Sequence, residues 1–223
     1  MAQFSRLEVL NQMIETGLVP IFYNGAPEVA KKVAWAISTG GGHLLEFTNR
    51  GDFAPDVFKE LSQYCQRELP GLILGVGSVL DAPTAALYAA YGASFVVGPY
   101  LNPEVARFCN RRKIAYIPGC GSATEIAEAE ELGVEIVKMF PGDSVGGPDF
   151  VKAILGPCPW TRIMPTGGVQ ATRESLSTWF KAGVAAVGIG GDLIKKEYLR
   201  SGDFEAMAAR MAEVLALIRE VRS

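Results

Sequence analysis

Apolar and polar positions change their period about every dozen residues along this chain. Short runs that are apolar on one or both faces alternate with longer stretches in a helical repeat. Residues 5–16 predict an opening helix with Ser5 as N-cap, closed by Gly17. A strand follows at 19–23, then a helix that Pro27 opens and that ends near residue 38, before Gly40-Gly41-Gly42. The pattern repeats with strands at 43–48, 72–79, 94–98, 115–118, 134–141, 162–165 and 185–189. Between them lie helices at 54–69 and 81–91, one that Asn102 caps with Pro103 first, one opened by a Ser122-to-Glu125 capping box, one at 148–155 and one from Thr172. A short helical piece at 193–198 and a long helix at 203–221 complete the chain. Eight strands, each followed by a helix, predict a (β/α)8 TIM barrel with an extra N-terminal helix. No linker-like stretch interrupts it, so residues 1–223 read as a single domain. A doubly wound open sheet is the alternative, but no G-x-G-x-x-G follows the first strand. Gly75-Val76-Gly77 is a lone G-x-G, read as close backbone approach beside a ligand.

The sixth strand breaks the apolar pattern. In Val134-Glu135-Ile136-Val137-Lys138-Met139-Phe140-Pro141, alternation puts Ile136 and Lys138 on one face and Val137 and Met139 on the other. Both faces read as buried, as in a central parallel strand. Burial disfavours a charged amine, and a neutral amine is a nucleophile. Lys138 therefore reads as a Schiff-base lysine, or as a structural lysine that snorkels to the strand end or pairs with a carboxylate.

Composition narrows the classes. The 223 residues are 49% hydrophobic, enough for one α/β domain with an ample core. Twenty-one basic residues face 24 acidic ones, and no basic block exceeds Arg111-Arg112-Lys113, so nucleic acid is not an expected partner. No apolar run approaches a membrane span and the first residues lack a signal-peptide pattern. Cys65, Cys109, Cys120 and Cys158 are dispersed and only His43 could join them, so no metal is expected. Reduced thiols and a cytoplasmic enzyme are the expectation. Cys120 follows a strand and reads either as a site-lining residue or as a plain small one.

In a barrel, chemistry gathers at the carboxyl ends of the strands, and the unusual residues fall there. Glu46 shares a face with Leu44 and Thr48 and reads as a proton shuttle beside the lysine, as an ion-pair partner of Arg50 or Lys138, or as both. Arg50, in the loop just beyond, reads as a carboxylate fork or a solvated loop residue. Gly167-Gly168 and Gly190-Gly191 each follow a strand and lead into helical sequence, where backbone N–H groups bind anions; plain turns are the alternative.

Together these stretches resemble the aldolase family that cleaves 2-keto-3-deoxy-6-phosphogluconate (KDPG) and 4-hydroxy-2-oxoglutarate (KHG). The carriers are Leu45-Glu46-Phe47-Thr48-Asn49-Arg50, Gly75-Val76-Gly77-Ser78-Val79, Ile117-Pro118-Gly119, Val137-Lys138-Met139-Phe140-Pro141, Pro165-Thr166-Gly167-Gly168 and Gly188-Ile189-Gly190-Gly191. The resemblance implies a class I aldolase, without metal or cofactor, on a (β/α)8 barrel and usually a homotrimer. It implies cleavage of a small keto acid to pyruvate plus glyceraldehyde 3-phosphate or glyoxylate. Lys138 would form the imine and Glu46 would shuttle protons. Arg50 would hold the substrate carboxylate, Ser78 would keep a hydroxyl where the family commonly has threonine, and Pro99, Phe140 and Thr166 would complete the substrate contacts. Gly167, Gly168, Gly190 and Gly191 would bind an anion. A phosphosugar isomerase or lyase without a Schiff base, or a keto-acid-binding barrel without turnover, are the competing readings.

Three positions depart from the family pattern. Asp192 stands where the glycine loop usually continues with serine; it would repel a phosphate, cap the short helix or bond a substrate hydroxyl. Gly98-Pro99-Tyr100 replaces the usual Ser-Pro-Gly, and Tyr23-Asn24 stands where some relatives carry a basic residue. Fewer positive charges and one added negative charge argue against a phosphorylated substrate.

Overall fold

The alternation along the strands becomes two apolar layers in the computed structural model, which describes residues 3–223. The strands are β1 (Leu18–Phe22), β2 (Leu44–Thr48), β3 (Ile73–Gly77), β4 (Phe95–Val97), β5 (Ala115–Ile117), β6 (Gly119–Cys120), β7 (Val137–Met139), β8 (Ile163–Pro165) and β9 (Val187–Ile189). The helices are α1 (Arg6–Thr16), α2 (Pro27–Thr39), α3 (Ala54–Glu68), α4 (Ala82–Ala90), α5 (Pro103–Arg112), α6 (Ala123–Glu131), α7 (Gly147–Leu155), α8 (Arg173–Lys181), α9 (Lys196–Ser201) and α10 (Phe204–Arg222).

All strand pairs are parallel, in a six-stranded sheet β5-β4-β3-β2-β1-β9 and a three-stranded sheet β6-β7-β8. The predicted fifth strand, 115–118, is β5 as far as Ile117, and beyond Pro118 the structure adds the two-residue strand β6, which the sequence pattern does not predict. Proline has no N–H to give a ladder, but its carbonyl still accepts the Lys138 N–H at 2.8 Å. At the other junction, the Ala185 N–H donates to the Ile163 carbonyl at 2.9 Å and Thr166 bridges Gly188. The result is a curled parallel sheet in which each strand follows its chain predecessor. A doubly wound sheet instead reverses its strand order at a switch point.

Side chains on the inner face form one cluster: Val19, Leu44, Ile73, Phe95, Val97, Ala115, Ile117, Ile136, Met164 and Ala186. Val9, Leu10 and Met13 of α1 belong to the same cluster, so this helix plugs the amino-terminal mouth of the curl. Its ends are held on both sides. Ser5 Oγ accepts the Glu8 N–H and Glu8 Oε2 accepts the Ser5 N–H at 2.7 Å, a reciprocal capping box. Arg222, at the end of α10, donates to the Ile14 and Glu15 carbonyls at 2.8 and 2.9 Å, where α1 leaves its last carbonyls free. The outer face, with Leu45, Phe47, Val137 and Met139, packs against the helices in a second cluster.

Three local expectations are corrected. The helix predicted at 193–198 lies at Lys196–Ser201, because the Gly190 carbonyl takes the Leu193 and Ile194 N–H groups in a turn. The later strands are three residues long, shorter than their apolar runs. At 122–125 Ser122 caps the helix, but Glu125 Oε2 accepts from the Gly121 N–H and the Ser122 hydroxyl, so the reciprocal half of the box is absent. Among the described residues, no helix is long and apolar enough to cross a membrane.

Candidate active site

Two titratable side chains stand on the inner face above the apolar cluster. Glu46 follows Leu44 by two residues on β2, and Lys138 follows Ile136 by two on β7. Period-two geometry sends both into the interior. Glu46 is 0% exposed and Lys138 6%. Neither of the alternatives weighed for the lysine holds: it does not reach solvent, and its Nζ lies over the Phe140 ring, 4.9 Å from the centroid, rather than against a carboxylate.

Both carboxylate oxygens of Glu46 are buried without a hydrogen-bond partner. The ion pair with Arg50 or Lys138 is therefore not formed as a contact. Burial pushes the Glu46 carboxyl above its ordinary range, and the charges of Lys138 and then Arg50 pull against that shift. Gly77 on β3 gives this carboxylate its room: a Cβ there would overlap Glu46 Oε1. On the same strand, a Cβ on Gly75 would run into the Phe95 ring. The Gly75-Val76-Gly77 glycines thus accommodate protein side chains, not a ligand as expected.

Arg50 sits on the loop leaving β2. The Asn49 N–H donates to the Gly77 carbonyl at 2.8 Å, and Asn49 Oδ1 accepts the Tyr88 hydroxyl at 2.7 Å, which anchors the base of that loop. The Arg50 guanidinium itself forms no ion pair with any described residue and lines a cavity of about 590 Å³. Thr48, Phe140, Thr166, Gly167, Gly168, Gly190, Gly191 and Asp192 line the same cavity. Thr48 and Phe140 stand two residues beyond Glu46 and Lys138 in the chain, and the two titratable groups do not themselves line the cavity. Thr166 Oγ1 is buried without a partner, close enough to β9 that a Cβ on Gly188 would overlap it. Gly167 and Gly168 adopt positive φ (89° and 76°), which aims this turn as only glycine does cheaply. The N–H groups of Gly167, Gly168 and Gly191 donate to no other described residue.

Some expected residues stand apart. Ser78, with φ 59°, and the half-buried Pro99 lie beyond β3 and β4 and are not in this cavity wall. Asp192 does line it but does not cap α9, whose N-cap is Lys195. Instead Asp192 Oδ2 accepts the Ala171 N–H, and the Ala171 carbonyl accepts from Arg210 at 2.5 Å, so the loops after β8 and β9 are stapled together. Cys120 is buried outside the cavity, its Sγ 3.6 Å from the Glu125 carbonyl, and burial pushes its thiol up to about 12. Tyr23, singled out from the sequence, lines the cavity, whereas sequence reasoning missed Ile21, Phe22, Val169, Ile194, Lys196 and Leu199 as cavity residues. For Lys196 the signal was its nearness to Gly190-Gly191, obscured by the misplaced helix. Among the described residues no three His, Cys, Asp or Glu side chains gather as a metal site.

An unpaired arginine and free backbone N–H groups line a cavity suited to an anion, and the buried Lys138 and the partnerless carboxyl of Glu46 stand on the inner face of the sheet without lining it. Comparison with known proteins gives the family. A family model described as "Aldolase: KDPG and KHG aldolase" matches residues 9–210. The 2-dehydro-3-deoxy-phosphogluconate aldolase of Treponema pallidum (strain Nichols) is 31% identical over 202 residues, covering 90% of this chain and 93% of that protein. The enzyme of the same name from Pseudomonas aeruginosa is 35% identical over 191 residues, covering 85% and 84%. The crystal structure of KDPG aldolase from Legionella pneumophila, with pyruvate captured at low pH as a covalent carbinolamine intermediate, superimposes with a TM-score of 0.81 at 27% identity, over 89% of this chain and 93% of that one. On its sequence and its fold, this chain belongs to the KDPG and KHG aldolase family of carbon–carbon lyases.

Proposed function

We propose that the protein is a class I aldolase that cleaves a 2-keto-4-hydroxy acid of the KDPG or KHG type to pyruvate and an aldehyde, through a Schiff base on Lys138. The observation that carries this reading is the pair of buried inner-face groups, an amine with no carboxylate contact and a carboxyl with no hydrogen-bond partner.

Arg50 binds the substrate carboxylate and turns the adjacent carbonyl carbon towards the Lys138 amine. The Nζ lone pair attacks that carbon, the carbonyl oxygen takes a proton, and loss of water from the carbinolamine leaves a protonated imine. The imine is the electron sink. As Glu46 accepts the proton of the 4-hydroxyl, the C3–C4 bond breaks, its electron pair moves to the imine nitrogen, and the aldehyde departs. Glu46 then returns a proton to C3 of the enamine, and water releases pyruvate. A carboxyl raised by burial suits both directions of that transfer, since it neither holds its proton too weakly to give it back nor stays charged at no cost. Thr166 Oγ1 is a further substrate contact, and Phe140 shapes the pocket above the lysine. On the family resemblance Ser78 and Pro99 would add substrate contacts on the β3–β4 side, outside the wall of the cavity that holds Arg50. The free N–H groups of the two glycine turns bind an anion at the tail.

Borohydride reduction in the presence of pyruvate should leave the adduct on Lys138 in a peptide map; an unmodified Lys138 would sink the assignment. Retro-aldol rates on KDPG, its unphosphorylated form and KHG then rank the substrates.

Closure of the curled sheet into a (β/α)8 barrel is supported by the continuous chain at Pro118 and the Thr166–Gly188 bridge. We also take residues 1–223 as one folding unit, with α10 packed on both α2 and α8. A homotrimer follows the family resemblance, and Phe53 (76% exposed) and Trp160 (65%) are large apolar side chains that a partner subunit would cover. A cytoplasmic location accords with four unpaired cysteines.

A further inference from the structure

The cavity wall holds a second cation besides Arg50. Lys196, the first residue of α9, lines the wall that Gly190, Gly191 and the Gly167-Gly168 turn also form. Its neighbour Lys195 faces Glu197 at 3.7 Å, whereas Lys196 has no ion pair among the described residues. The only carboxylate in this wall, Asp192, gives one oxygen to the Ala171 N–H. The α9 helix has six residues and contributes no dipole site of its own. What the wall offers is a free ammonium beside the unengaged N–H groups of Gly167, Gly168 and Gly191. With Arg50 in the same cavity, the wall offers two cations to one ligand.

We infer that Lys196 is a specificity-determining residue of the site, selecting 2-keto-4-hydroxy acids whose aldehyde half ends in an anion, a phosphate monoester or a carboxylate, over those ending in a neutral polyol. The inference rests on the aldolase reading above. It reverses the expectation drawn from Asp192: that carboxylate staples two loops, and Lys196 supplies the positive charge that Tyr23 does not.

The test is steady-state cleavage of KDPG, its unphosphorylated form and KHG by the wild type, Lys196→Gln and Lys196→Arg. Lys196→Gln should raise the KM for KDPG about tenfold, the effect of one charge-assisted contact held partly in solvent, with kcat little changed. The KM for the unphosphorylated acid should stay within about twofold, and Lys196→Arg should restore most of the preference. The KHG arm tells whether a carboxylate on the shorter tail reaches the same lysine. Added salt should raise the KDPG KM of the wild type more than that of Lys196→Gln. Pyruvate–borohydride trapping on Lys138 separates the two readings. Normal trapping with an unchanged KDPG preference in Lys196→Gln overturns the role of Lys196 alone. Absence of trapping in the wild type overturns the aldolase reading and this inference with it.

Discussion

Replacing Glu46 by glutamine should change how stability depends on pH, and the sign follows from the site. The carboxyl is fully buried, neither oxygen has a partner, and its pKa is raised from an ordinary 4.5, by desolvation first, against the pull of Lys138 and Arg50. Between 4.5 and the raised folded value, the folded state holds a proton that the unfolded chain has lost. Stability in that window must fall as pH rises. The contribution of the protonated carboxyl is complete below the unfolded value and is lost by the time pH passes the folded one. Within the window the slope approaches ~1.4 kcal/mol per pH unit, or roughly 3–6 °C in Tm for a chain of this length.

Glutamine has the shape of the protonated acid and does not titrate. The difference in unfolding free energy, Glu46→Gln minus wild type, cancels every other titrating group. It should be flat below about pH 4.5 and then climb in favour of the variant. Urea unfolding at half-unit intervals from pH 4 to 8 measures it, and retro-aldol activity of the variant should be lost throughout. A flat difference curve, or one that climbs in favour of the wild type, would mean that Lys138 and Arg50 hold Glu46 ionised in the resting protein. The proton shuttle would then have to start from the other charge state.

Gly77→Ala should cost about 1–3 kcal/mol by overpacking and lower kcat sharply, because the new methyl overlaps Glu46 Oε1, whereas Gly191→Ala, with nothing within 4 Å of its Cβ, should leave the fold unchanged; equal Tm losses in the two variants would refute the assignment. Met13→Ala should cost about 2–5 kcal/mol, since this side chain of α1 is 0% exposed within the inner cluster, and should leave KM unaltered because the plug lies at the opposite mouth from the cavity; a loss under 1 kcal/mol by denaturant titration would show that the helix is not part of the core.

The deep half of the site was legible because strand alternation is a local property. Leu44 with Glu46, and Ile136 with Lys138, could be put on shared faces from spacing alone, and both pairs face inward. The glycine turns were legible for a similar reason, as backbone requirements leave their mark on residue type. The tail half was not. Asp192 is tied to Ala171, 21 residues back along the chain and on a different loop, and no local pattern announces that bond. Pro118 reads as the end of a strand, yet the chain resumes pairing at Gly119–Cys120 against β7. The turn at Gly190 delays α9 by three residues, and that delay decides which of two adjacent lysines opens the helix at the cavity wall.

The same division governs how the site can change. Lys138 and Glu46 are held by strands, by Phe140 and by the space above Gly77, so altering either disturbs the packed interior as well as the chemistry. Asp192 and Lys196 are exposed residues on a loop and a short helix, where substitutions away from packed features usually shift stability by about 0.5 kcal/mol or less. On the proposed reading, buried titratable groups would set the reaction and exposed charges its substrate. If Lys196 reads the tail as proposed, the aldehyde preference could be altered there at little cost to the fold. Glycine N–H groups bind any anion of suitable size, so discrimination falls to the side-chain charges beside them. In this chain those charges are one carboxylate committed to a backbone amide and one lysine left free.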